Sequence, residues 1–333
     1  MMMTSVYRLA LRLLPADLRG LIVIDEVHQV PDLFRALRVL ADEPAVRRRF
    51  LVLGSAAPEL LRQGAETLAG RIAYHELSGF RLDEVGLSQL SRRWTRGGFP
   101  RSFLARSDAA SDEWRGQFIR IFLERDIPQF GLRIPAPALR RFWTMIAHYH
   151  AQTWNSSELA RAFGVAHTTV QRYLDVLTET FMVRQLPPWH ENLSKRQVRA
   201  PKVYLRDTGV LHRLLGVRSL RDLEAHPKVG ASWEGFALDV ILDHLGARFG
   251  EAYFWGTHAG AELDLLIVRG RTRVGFEFKR TSSPSVTPSM RSALTDLRLQ
   301  RLYVVHGGAA TFPLAEKILA VPLTRIAQDV PQL

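Results

Sequence analysis

The segment Leu21–His28, LIVIDEVH, constrains this chain more than any other stretch. Its run of branched aliphatic residues suits a buried strand of a parallel sheet better than a strand with one polar face. The strand runs straight into Asp25 and Glu26, so it delivers two carboxylates to its carboxyl end. Carboxylates so placed supply the metal-holding and water-polarising half of a phosphate-hydrolysing site. The other half is a glycine-rich loop ending in Gly-Lys-Ser/Thr, and no Gly-Lys dipeptide occurs in the chain.

After the acidic strand come VPDLFRALRVLADEP, RRFLVLGSAAPELL and LAGRIAYHELSGFRLDEVG. Taken in order from about residue 20 onward, these segments resemble a family of prokaryotic AAA-type P-loop ATPases with a C-terminal domain of unknown function. The resemblance implies that LIVIDEVH is the Walker B strand, with Asp25 holding magnesium and Glu26 as the catalytic carboxylate. It implies a sensor at Ser55, after the strand Phe50–Leu53, and a phosphate-site arginine at Arg71. ATP and magnesium are the cofactors it implies. Without the Walker A loop, ATP binding is expected to be weak or absent, and hydrolysis by this chain is not expected. Met1-Met2-Met3 fits either a truncated gene model or a naturally degenerate protein. Loss of the strand bearing the loop predicts a loosely packed region before residue 95, or one completed by a complementing chain or a second copy.

The fold class read from this order is α/β. Residues 1–95 form a truncated AAA-type core, 96–150 a helical lid, 151–199 a winged helix-turn-helix and 200–333 a nuclease-like domain. The first twenty residues, with Arg8, Arg12 and Arg19 among apolar neighbours, read as an amphipathic helix rather than a signal peptide. No apolar run approaches the length of a membrane span, and the absence of cysteine fits a reducing cytoplasm. The formal net charge is +12, and only five of the 45 basic residues are lysines. Codon bias accounts for arginine over lysine, but not for the excess over acidic residues, which suits a phosphate backbone such as DNA.

GGFP at 97–100 punctuates the end of the first region, and apolar spacing through Trp114, Phe118, Ile121, Phe122, Phe142, Met145 and Ile146 predicts helices on either side of RDIPQFGLRIPAP. His148 and His150 read as helix-face histidines. Next, SSELARAFGVAHTTVQRYLDVL at 156–177 carries a helix-turn-helix pattern, with Ser156 or Ser157 as cap and Gly164 at the turn. Val170, Tyr173, Leu174 and Leu177 point inward, leaving His167, Thr168, Thr169, Gln171 and Arg172 to reach phosphates or base edges. The following FMVRQLPPWHENLSKR reads as a strand and a basic wing.

The sharpest chemistry lies in AELDLLIVRGRTRVGFEFKRT. Alternation predicts two strands joined by a tight turn at Gly270-Arg271, with paired residue numbers summing to 541. Asp264 then faces Glu277 and Glu262 faces Lys279, all four on one face, with Leu263, Leu265, Phe276 and Phe278 on the other. Opposed carboxylates repel unless a metal or proton lies between them. The Asp…Glu-x-Lys layout resembles the PD-(D/E)XK nuclease-like fold. That resemblance implies magnesium on Asp264 and Glu277, Lys279 as the catalytic lysine, and Glu234 as a further metal carboxylate. Three readings follow: an AAA-type relative acting on DNA, a magnesium-dependent DNA endonuclease, and a non-catalytic DNA-binding or interaction protein.

Overall fold

A computed structural model describes residues 19–25, 27, 33–43, 48–54, 68–129, 134–190, 197–248 and 250–333. Glu26, Ser55 and nearly all of the helix expected over 1–20 lie outside the described residues. The fold is α/β, as expected. It divides into two units: Met1–Leu77 with Ile127–Leu132 and Glu179–Phe181, and the remainder.

In the first unit, strand β1 (Gly20–Ile24) precedes helix α1 (Leu33–Ala41), and β2 (Arg48–Val52) pairs parallel with β1. The apolar stripe of α1, Leu33, Phe34, Ala36, Leu37 and Leu40, closes over Ile22 to form a small core. One expectation is corrected here. Only one face of β1 is buried, because Leu21 is 63% and Val23 55% exposed.

In the second unit, helix α2 (Leu90–Arg96) is stopped by Gly97 at φ 79°, a conformation suited to glycine. Helices α3 (Asp108–Ile121) and α4 (Ala136–His148) flank the proline-rich break, and Phe99, Trp114 and Phe118 pack together at ring separations of 4.7–5.7 Å. A short strand β3 (Gln152–Thr153) leads to helix α5 (Ser156–Phe163) and helix α6 (His167–Glu179). The cap of α5 is Asn155, whose side chain accepts from the Glu158 N–H, not either serine; Gly164 ends the helix at φ 69° as expected. Strands β4 (Val183–Leu186) and β5 (Lys202–Leu205) complete an antiparallel sheet in the order β3-β5-β4.

Helices α7 (Thr208–Leu214), α8 (Leu220–Ala225) and α9 (Val229–Leu245) follow. Then come β6 (Ala252–Gly256), β7 (Glu262–Arg269), β8 (Thr272–Lys279), helix α10 (Pro288–Asp296), β9 (Arg301–His306), β10 (Phe312–Ala315) and β11 (Ile318–Pro322). The strands form one sheet in the order β10-β11-β9-β8-β7-β6, parallel from β8 through β9 to β11 and antiparallel elsewhere. One face packs Leu265, Phe276 and Tyr303 against Phe236 and Ile241 of α9; the other packs Leu263, Leu266 and Leu302 against Met290 and Ala293 of α10. A sheet covered on both sides needs apolar residues at successive positions, which explains the unbroken run Leu265-Leu266-Ile267.

Candidate functional site

The β7–β8 hairpin holds the expected register from Leu265↔Phe276 to Arg269↔Thr272, across the two-residue turn Gly270-Arg271. It departs from that register at its open end. Phe278 N–H would meet Leu263 in continued pairing, but donates instead to Asp264 Oδ2 at 3.0 Å. The β6–β7 ladder also shifts register between Tyr253 and Trp255. Leu263 and Leu265 consequently lie in different cores, which corrects the single apolar face expected for them. Glu262 does not pair across to Lys279 either; Lys279 Nζ lies 2.7 Å from Glu277 Oε1 on its own strand.

The partner of Glu262 is Lys202, a residue the sequence reading did not single out. Lys202 opens β5, and its Nζ also lies 3.2 Å from Glu234 Oε1 and 3.3 Å from Asp264 Oδ1. Three carboxylates from α9 and β7 therefore close on one ammonium group that is only 3% exposed. Two residues along β5, Tyr204 OH donates to Glu234 Oε1 at 2.7 Å. Burial by itself would lower the Lys202 pKa, but Tyr204, Glu234, Asp264 and Glu262 outweigh it and raise it well above the ordinary value.

The carboxyl groups carry the opposite perturbation. Glu234 is pushed up to about 7, first by burial and then by the Asp264 charge, with Lys202 pulling it back. Glu277 is pushed up to about 8, by burial and again by Asp264, against the pull of Lys279. Glu277 Oε2 is buried and makes no hydrogen bond. Four carboxylates thus share two ammonium groups. The surplus negative charge is met by protons held into the neutral range.

This donor set does not fit a divalent metal as it stands. The Lys202 ammonium fills the space between Glu234 and Asp264, and among the described residues no group of three or more His, Asp or Glu is arranged to hold a metal ion.

The helix-turn-helix face divides differently from the expectation. His167, Thr168 and Arg172 are exposed, and Thr169 is half-buried. Gln171 is committed within the fold, accepting from Trp154 Nε1 at 3.1 Å and donating to Asp175 Oδ1 at 2.8 Å. It is therefore removed from the base-reaching set. Val170, Leu174 and Leu177 are buried as expected, and Tyr173 packs edge-on to Phe142.

In the first unit, Asp25 follows β1 at its carboxyl end, beside the backbone bond from Leu53 N–H to Ile24 O. Arg71 is paired with Asp42, whose carboxyl is held below its usual range mainly by that hydrogen bond. Among the described residues no helix is long and apolar enough to cross a membrane.

Family models match in sequence along the chain: an AAA domain over residues 3–86, a domain of unknown function (DUF8612) over 87–221 and another (DUF4143) over 229–326. The uncharacterized protein Rv2008c of Mycobacterium tuberculosis and the uncharacterized protein Mb2031c of Mycobacterium bovis are each 52% identical over 311 residues, covering 93% of this chain and 70% of the relative. A solved structure, protein VC1899 from Vibrio cholerae, aligns over 96% of this chain and 92% of its own at 14% identity, but a TM-score of 0.19 carries no structural argument. The ordered AAA, DUF8612 and DUF4143 matches and the half-identical mycobacterial relatives place this chain in an AAA-like ATPase family.

Proposed function

We propose that this chain acts on duplex DNA through its helix-turn-helix region, as a winged-helix module within an AAA-type ATPase relative. The observation that carries the reading is the exposure of His167, Thr168 and Arg172 on α6, just past the turn at Gly164. Residues early in the second helix of such a motif are those that reach a major groove. The β4–β5 strand pair that follows the helix suits a wing, and a net charge of +12 suits phosphate.

Fluorescence anisotropy with labelled duplex DNA across a salt series tests the proposal. Affinity should fall steeply with salt, and Arg172→Ala should weaken binding and reduce the log–log salt slope by about one. Salt-insensitive binding, or binding untouched by Arg172→Ala with His167→Ala, would overturn it. ATP affinity is expected to stay weak, since the chain has no Gly-Lys dipeptide. Magnesium-dependent ATP turnover that disappears in Glu26→Gln would contradict this.

A second reading is magnesium-dependent DNA cleavage by the C-terminal domain, in the manner of a PD-(D/E)XK nuclease. It is favoured by the closeness of Asp264 to Glu277, whose carboxyl its charge helps to push up, and by the unpartnered Glu277 Oε2. Its test is magnesium-dependent nicking lost in both Asp264→Ala and Lys279→Ala. Because the present donor arrangement does not fit the metal, DNA binding without cleavage is the reading preferred here.

A further inference from the structure

The position of Lys202 bears on what the acidic cluster can hold. An ammonium within hydrogen-bonding reach of Glu234, Glu262 and Asp264 satisfies the same oxygen atoms that a small divalent cation would need. It is tethered, so it competes for the cluster as an intramolecular group rather than as a diffusing cation. Its strand is fixed on both sides: Lys202 pairs with Leu186 of β4 and with Thr153 of β3. The ammonium also lies 5.8 Å from the Phe254 ring centroid, so its non-acidic surroundings favour a cation too.

We propose that Lys202 is a built-in cation that plugs the acidic cluster, competing with divalent metal for Glu234, Glu262 and Asp264. A metal enters only when this lysine leaves. Because the plug belongs to the central strand of the helix-turn-helix sheet, loading the cluster with metal and seating β5 oppose each other. The inference concerns which cation occupies the cluster, so it is independent of DNA binding and is decided without any measurement of cleavage.

The experiment is titration of Mn2+ into the full chain, with free Mn2+ read by electron paramagnetic resonance. The wild-type protein should bind weakly. Lys202→Met should bind about tenfold more tightly or better, and adding Asp264→Asn to it should abolish the gain. If Lys202→Met does not fold, Lys202→Met with Glu234→Gln restores the wild-type net charge of the cluster and still offers Glu262, Asp264 and Glu277. Tight Mn2+ binding by the wild type that is lost in Asp264→Asn would overturn the proposal. So would a folded variant carrying Lys202→Met, single or double, that binds no better than the wild type.

Discussion

A carboxyl group buried beside a second carboxylate keeps its proton into the neutral range, and Glu277 meets both conditions. A pKa raised in the folded state means that its stabilising contribution is complete below the unfolded value near 4.5 and is lost as pH rises through about 8. Thermal unfolding should therefore show declining stability from about pH 4.5 to 8, and Glu277→Gln should flatten that limb by an amount on the order of 2–4 kcal/mol. The buried histidines work the other way. His212 sits between Thr95 O at 2.9 Å and Ser232 Oγ at 2.7 Å, and burial lowers it to about 4; His150 is lowered to about 3 by burial and then by the His212 charge. Their contribution is complete above about 6.5 and is lost as pH falls toward those values. Imidazole signals of both should stay untitrated down to about pH 5 in NMR.

At the level of elements, the hairpin was legible because a two-residue turn fixes register, and alternation then fixes which residues meet. The departure at Asp264 was not, because a side chain replacing a backbone acceptor leaves no mark in the period. Lys202 was missed because its partners lie 32 to 62 residues away. A signal did exist: in a chain with only five lysines, one opens the apolar strand KVYL and another ends FEFK. A compact ammonium can sit among three carboxylates where a planar guanidinium would not, so lysine is the informative choice in an arginine-rich chain. Gln171 was misread for a related reason, since its partner Trp154 lies outside the helix pattern. Gln171→Ala should lower stability by about 1 kcal/mol, measured by denaturant unfolding. Helices α2 and α7 also touch closely: a Cβ at Gly209 would lie 2.1 Å from Arg96 O. Gly209→Ala should cost roughly 2–4 kcal/mol in the same measurement, with no comparable loss for Gly230→Ala beside open space.

Over the whole molecule, the two units differ in how much sheet they own. Among the described residues, the first has a two-stranded sheet with Leu21, Val23 and Leu51 exposed, whereas the second has a six-stranded sheet covered on both faces and a three-stranded one. Few buried contacts mean low local opening free energies. Hydrogen exchange should be faster at residues 20–24 and 48–52 than over 230–305, and uniform protection would contradict this. The α/β class could be read from the order of elements, but the one-sided burial of β1 could not, because a run of aliphatics looks alike whether one face or both are covered. Lys202 also falls within the stretch matched by one domain model, while Glu234, Glu262 and Asp264 fall within the next. Recombination between relatives at that seam would separate a charge from its counter-charges. A change in either stretch is thereby constrained by the charge that the other supplies.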